Sequence, residues 1–89
     1  MLDFPQEDEQ VTSTDYTLRV DAPKTVQSVE VSINQGPWQP CRPSSGFWWY
    51  DWTGFKPGPY QARARMHNTE GRVMTTLARH FRVEYGRDN

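Results

Sequence analysis

Hydrophobic and polar residues alternate along two neighbouring stretches of the chain, residues 47–53 and 60–67. Side chains at alternate positions of a β-strand lie on the same face, so each alternating stretch offers one face to a core. The positions with the inward parity are Trp48, Tyr50, Trp52, Tyr60, Ala62, Ala64 and Met66. Because a Pro-Gly corner separates the two stretches, the pattern predicts two strands of a β-sandwich that share a core.

Shorter alternating stretches predict the remaining strands. We expect them at residues 16–21, 29–33, 38–42 and 72–85, with a turn at 34–37 and a loop at 43–46. No stretch of ten or more residues has helical apolar spacing, and the seven Pro and six Gly punctuate short segments. The fold class is therefore predicted to be all-β, a sandwich of six or seven antiparallel strands.

The register of the last predicted strand is open at Arg79. Phe81 and Val83 have the inward parity, and Arg79 falls on the same face. Either a β-bulge near residues 77–79 resets the register, or Arg79 lies at the rim of the sandwich and extends outward. The sequence leaves both alternatives open.

The 89 residues are predicted to form one small domain. Residues 1–13 are polar and acidic, so we expect a loose N-terminal arm there. The sandwich is predicted to span residues 14–85, followed by a C-terminal tail at 86–89.

Charge gives no overall bias toward a nucleic-acid or lipid partner, because the net charge is −1. Residues 1–40 nonetheless carry a net charge of −5, and residues 41–89 carry +4. We expect an acidic first edge to lie against a basic last edge within one domain. The alternative is a basic face that binds a ligand.

Cys41 is the only cysteine, so no intramolecular disulfide can form, and a cytoplasmic location is the default expectation. The first ten residues lack the basic and apolar segments of a signal peptide, and no apolar run approaches bilayer-spanning length. We therefore expect no membrane insertion. If the chain is one domain excised from a larger secreted protein, an extracytoplasmic location is expected instead.

Several framework motifs lie within residues 14–85. They are Val-Glu-Val-Ser-Ile-Asn-Gln-Gly-Pro-Trp-Gln-Pro at 29–40, Trp-x-Tyr-x-Trp at 48–52, Phe-x-Pro-Gly-x-Tyr at 55–60, Ala-Arg-Ala at 62–64 and the Gly71 turn. In these motifs the chain resembles bacterial immunoglobulin-like modules related to fibronectin type III. It is also similar to the immunoglobulin-like dimerisation domain of sulfite-oxidase-type enzymes and to accessory modules of glycosidases. The resemblance implies an immunoglobulin-like β-sandwich and says little about a ligand.

The resemblance also implies structural roles for individual residues. Tyr60 matches the tyrosine-corner position, whose hydroxyl would bond to the backbone at residues 55–56. Trp38 matches the core tryptophan of the third strand. Parity independently places Trp48 and Trp52 in the core.

The sequence offers little support for catalysis. His67, His80 and Cys41 do not have metal-ligand spacing, and no phosphate-binding loop, nucleophile elbow or recognisable carboxylate pair occurs. We therefore expect no enzyme activity, no metal site and no cofactor.

Four side chains form the candidate binding surface. Phe47 and Trp49 have the parity opposite to the core, so they face outward. Either Trp49 is covered by the N-terminal arm or by an arginine, or the pair is a binding platform. Arg63 and Arg65 face outward from the next strand, where they either pair with carboxylates across strands or form an anion-binding face.

These observations favour a non-enzymatic binding or assembly module. We expect it to contact a protein partner or a second copy of the chain. A carbohydrate-binding module is the alternative, using the outward aromatics and also Trp38 if that ring is exposed. A nucleic-acid partner is not expected, because the total charge is near neutral and the first half is acidic.

Overall fold

A computed structural model of the chain describes residues 1–84, and the regular structure in that range is entirely β-strand. The strands are β1 (Leu2–Phe4), β2 (Glu9–Val11), β3 (Asp15–Val20), β4 (Val26–Ile33), β5 (Gln39–Pro40), β6 (Arg42–Ser44), β7 (Phe47–Thr53), β8 (Gly58–Asn68), β9 (Val73–Thr75) and β10 (Arg79–Val83). The predicted C-terminal tail at 86–89 lies outside the described residues.

The strands form two sheets with the core between them. One sheet has the order β1-β3-β7-β6, and the other has the order β2-β10-β8-β4-β5, with β9 also paired to β8. Neighbouring strands are antiparallel, except that β2 and β10 run parallel. The all-β sandwich predicted from the alternating pattern is therefore confirmed.

Ten strands are present where six or seven were predicted, because three chain segments each supply two. These segments are residues 1–13, 38–44 and 72–84. The first two segments cross from one sheet to the other, and the third is interrupted between β9 and β10 at residues 76–78. The six strand segments predicted from the sequence thus supply eight strands, and residues 1–13, predicted to contain none, add two.

The N-terminal segment belongs to both sheets, so the prediction of a loose arm over residues 1–13 is wrong. β1 pairs with β3 and β2 pairs with β10, while the Leu2 and Val11 side chains are each 2% exposed. Strands of three residues give an alternation too short to recognise within an acidic segment. The ordered domain therefore begins at residue 2 and not at residue 14.

The segment predicted as a single strand at 38–42 crosses between the sheets. β5 pairs with β4 in one sheet, and β6 pairs with β7 in the other. The loop predicted at 43–46 is instead half strand, because residues 43–44 belong to β6 and residues 45–46 form a two-residue turn. Ser45 and Gly46 in that turn have φ angles of 53° and 82°, which suit a type I′ hairpin.

The last predicted strand contains a bulge, and Arg79 lies just after it. Thr75 is opposite Arg65 on β8, whereas Arg79 is opposite Ala62. Three residues, 76–78, therefore span the distance that two residues span on β8, which defines a one-residue bulge. The Arg79 Nη1 donates to a backbone carbonyl of the N-terminal segment at 3.0 Å. The bulge is therefore present, and the Arg79 side chain, which is 26% exposed, contacts the N-terminal segment and does not extend into solvent.

Trp52 is the central aromatic side chain of the core. It is 9% exposed, and its ring stacks on Phe55 with centroids 3.9 Å apart. Tyr60 and Phe81 meet the same indole edge-on at 5.0 and 5.7 Å. The alanines of β8 are fully buried on this inner face, and small side chains beside large ones allow close packing.

Candidate functional site

The structure does not bring the four candidate binding residues together. Phe47 and Trp49 lie on β7 in the four-stranded sheet, whereas Arg63 and Arg65 lie on β8 in the other sheet. The alternate residues of both strands point into the core, so the two pairs occupy opposite outer surfaces of the sandwich. They form two separate candidate surfaces.

The first surface, here called the aromatic face, consists of Phe4, Arg19, Phe47 and Trp49. The Arg19 guanidinium carbon lies 4.3 Å from the Phe47 ring centroid and 4.7 Å from that of Phe4. Its Nε also donates to the Asp3 carboxylate at 3.1 Å. A partly buried guanidinium over an aromatic ring gains cation–π attraction, so Arg19 joins the two rings into one cluster.

Trp49 extends this cluster across β7. Its ring meets Phe47 edge to face, with centroids 5.9 Å apart and planes inclined at 72°. The indole Nε1 donates to the Ser44 carbonyl at 2.8 Å, so its hydrogen-bonding capacity is used within the β6–β7 hairpin. Both rings are half-buried. The arginine expected near Trp49 lies instead over Phe47, and the N-terminal segment adds the ring of Phe4.

Charged and polar groups lie beside the rings. Arg42 Nη2 lies 3.3 Å from the Asp51 carboxylate, which also accepts the Thr17 hydroxyl at 3.0 Å. The hydrogen bond from Arg42, followed by that from Thr17, lowers the pKa of Asp51. A shallow groove runs beside Trp49 and is lined by Pro40, Cys41, Arg42, Trp49, Tyr50 and Asp51. The aromatic face therefore has rings at its centre and ionised groups at its border.

The second surface is centred on Glu30 and lies on the six-stranded sheet. One Glu30 oxygen accepts from Arg65 Nε and Nη2 at 2.9 and 2.7 Å and lies 3.0 Å from His67 Nε2. The hydrogen bonds from Arg65, followed by that from His67, lower the pKa of Glu30. The Arg65 guanidinium also lies 4.2 Å from the Trp38 ring centroid. The Arg63 side chain has no hydrogen-bonding or charged partner within residues 1–84.

Trp38 does not lie in the core, so the role implied by the resemblance is wrong. Its ring is half-buried on the outer surface against Arg65, just before β5 begins the crossing between sheets. Trp52 lies in the core as predicted. Trp48 is half-buried and packs against this core. The corner hydrogen bond of Tyr60 is present.

Arg19 and Glu30 are the surface residues that sequence reasoning missed. Each is placed by the register between strands, with Arg19 opposite Trp49 and Glu30 opposite Arg65. Outward parity and opposite charge on neighbouring predicted strands were the available signals. Parity alone does not reveal which residues of two strands face one another.

Ion pairs join the acidic first half of the chain to the basic second half. Arg65 lies 2.7 Å from Glu30, and Arg79 lies 3.8 Å from Glu7. The charge asymmetry is thus partly neutralised within the domain, as expected. Among residues 1–84, no three side chains are grouped so as to hold a metal ion. No helix in the same range is long and apolar enough to cross a bilayer.

Two solved structures share this architecture. The fibronectin(III)-like modules of CbhA from Clostridium thermocellum superpose with a TM-score of 0.74 at 20% identity, over 93% of this chain and 92% of theirs. An engineered protein gives a TM-score of 0.76 at 22% identity over 94% of this chain, which spans 19% of that protein's length. No protein-family model and no curated protein matches the sequence. The chain has the immunoglobulin-like β-sandwich fold of fibronectin(III)-like modules.

Proposed function

We propose that this domain is a non-enzymatic binding or assembly module whose protein contact is the aromatic face. The observation that carries the proposal is the arrangement of Phe47 and Trp49 between two ion pairs, Arg19–Asp3 and Arg42–Asp51. Protein interfaces concentrate binding energy in central aromatic and arginine side chains and surround them with a polar rim. The aromatic face has that composition.

The angle between the rings favours a protein contact over an extended polysaccharide. Sugars stack on aromatic rings that lie in a flat or grooved row, whereas the planes of Phe47 and Trp49 are inclined at 72°. A protein side chain can pack into the angle between two such rings. The indole N–H already donates to Ser44, so the indole offers an apolar surface more than a polar one.

A carbohydrate ligand is the second candidate. The groove beside Trp49 has Arg42 and Asp51 on its wall, and one ring with flanking polar groups can hold a single sugar unit. The likeness to CbhA modules concerns the fold and does not transfer a ligand to this chain.

The test of the proposal is Trp49→Asp, with Ser28→Asp on the opposite outer surface as the matched control. A charge in the desolvated centre of an interface is costly, so we expect Trp49→Asp to abolish contact through the aromatic face while thermal unfolding shows an intact fold. Sedimentation velocity detects contact with a second copy, and pull-down with a candidate partner detects a heterologous contact. Saturable quenching of tryptophan fluorescence by a soluble glucan, lost in Trp49→Asp, would instead support the carbohydrate ligand.

A further inference from the structure

The edge formed by β9 differs from the other sheet edges of residues 1–84. Unpaired strand edges invite pairing with other chains, and proteins commonly protect them with charged residues or proline. The other edge strands contain such residues, namely Asp3 in β1, Glu9 in β2, Pro40 in β5, and Arg42 and Pro43 in β6. β9 has the sequence Val-Met-Thr and contains neither. The features that limit pairing at its outer edge are its length of three residues and the bulge that follows it.

Exposed apolar side chains concentrate at this edge. Val73 and Met74 are 51% and 54% exposed, and Leu77, which lies in the bulge after β9, is 91% exposed. A shallow pocket beside the bulge is lined by Met1, Leu2, Glu7, Thr76, Leu77, Ala78 and Arg79. The edge strand without a charged residue or a proline therefore coincides with the most exposed apolar side chain of residues 1–84.

The hydrogen-bond pattern shows which backbone groups of β9 are available. The Asn68 amide donates to the Arg72 carbonyl at 3.0 Å, and hydrogen-bonded positions alternate along an antiparallel pair. Met74 therefore directs its backbone N–H and C=O toward β8. Val73 and Thr75 direct theirs away from the sheet. Each copy therefore presents two backbone N–H donors and two backbone C=O acceptors along the outer edge of β9.

We propose that β9 pairs with β9 of a second copy, antiparallel and around a two-fold axis at Met74. In this register Val73 of each copy lies opposite Thr75 of the other, so four backbone hydrogen bonds join the two six-stranded sheets. Such a contact uses the same patch on both copies and closes after two. It is separate from the aromatic face and does not depend on the proposed function.

The charge distribution along the edge favours a second copy as the occupant. Residues 73–78 contain no charged side chain, and in the proposed register Arg72 faces Thr76 of the other copy. No like charges therefore lie opposite one another. Val and Thr also favour extended backbone. Because the edge is three residues long, the contact is small, and we expect association at concentrations of about 0.1–1 mM.

Charge substitution at Met74 tests both the edge and the register, with the full 89-residue chain as the sample. Met74 lies on the two-fold axis, so Met74→Lys or Met74→Glu would each place two like charges face to face. We expect the self-association constant of each variant alone to fall by about tenfold or more. An equimolar mixture of the two variants should recover the association of the wild type. Sedimentation velocity across the concentration range measures both effects. Unchanged thermal midpoints show that the exposed site tolerates the changes.

Two controls separate this proposal from the aromatic face. Gln27→Lys adds a charge to the exposed part of β4, and Trp49→Asp changes the aromatic face; we expect both to leave pairing through β9 intact. A wild type that stays monomeric at 1 mM overturns the proposal. So does a mixture of the Met74 variants that associates no better than either variant alone. Association lost in Trp49→Asp and kept in Met74→Lys would assign the dimer to the aromatic face and overturn pairing through β9.

Discussion

The Tyr60 hydroxyl and the Lys56 backbone share two hydrogen bonds. The hydroxyl donates to the Lys56 carbonyl at 2.6 Å and accepts from the Lys56 amide at 3.1 Å. Lys56 lies in the connection between β7 and β8, which belong to different sheets. This pair of bonds therefore fixes the corner at which the chain passes between sheets, as the resemblance implied.

Tyr60→Phe should lower the free energy of unfolding by about 0.5–1.5 kcal/mol, because two hydrogen bonds are lost at a corner that water can partly reach. Urea denaturation should show a lower midpoint at an unchanged m-value. Tyr50→Phe is the matched control, since the Tyr50 hydroxyl makes no hydrogen bond within the described residues. Equal midpoints for the wild type and Tyr60→Phe would show that the corner bond does not contribute to stability.

Trp52→Ala should lower the free energy of unfolding by roughly 3–5 kcal/mol, because it opens a cavity beside Phe55, Tyr60 and Phe81. Trp49→Ala removes a half-buried outward ring and should cost roughly 1–2 kcal/mol. Chemical denaturation of both variants, with matched m-values, gives the comparison. A larger loss in Trp49→Ala than in Trp52→Ala would contradict the assignment of inward and outward parity on β7.

Long alternating strands could be predicted from the sequence, whereas short ones could not. The bounds predicted for β7 match those observed, because seven residues give enough alternation to identify a strand and its inner face. β1 and β2 contain three residues each, and each strand fully buries one side chain. Because the surrounding segment is acidic, one buried side chain per strand was too weak a pattern to predict them. The crossing after Trp38 was not predicted for a related reason. β5 and β6 are so short that together they give the pattern of a single strand.

The candidate surfaces were predictable only in part. Parity placed Phe47 and Trp49 on an outer face, because side-chain direction along a strand is a local property. Which residues join them depends on the register between strands, and packing of the whole sandwich sets that register. Arg19 beside Phe47 and Arg65 beside Glu30 are consequences of that packing.

Cys41 should react slowly with alkylating reagents in the folded domain. Burial, followed by the negative charge of Glu30, raises the pKa of its thiol from 9.0 to about 12. The thiolate is the reactive species, so at pH 8 we expect alkylation by iodoacetamide to be slower by about tenfold or more than in the unfolded chain. Mass spectrometry with and without denaturant measures the two rates. Equal rates would mean that the crossing segment around Cys41 opens readily.

Stability should depend on pH through Glu30. Its pKa is held below the ordinary value of 4.5, first by hydrogen bonds from Arg65 and then by His67. A carboxyl group with a lowered pKa in the folded state stabilises that state above its unfolded pKa, and the stabilisation is lost as the pH falls through the folded value. Glu30→Gln should therefore cost about 0.5–1 kcal/mol at pH 7, since the pair is partly exposed.

The difference in unfolding free energy between wild type and Glu30→Gln should shrink as the pH falls below about 4.5. It should also shrink in high salt, because salt screens the ion pair between Glu30 and Arg65. Urea denaturation at several pH values between about 3 and 7 measures it. Glu70→Gln in the exposed turn before β9 is the control, because its neutralisation removes no ion pair of this cluster. A difference that stays constant across the pH range would show that Glu30 stabilises the fold by packing and not by charge.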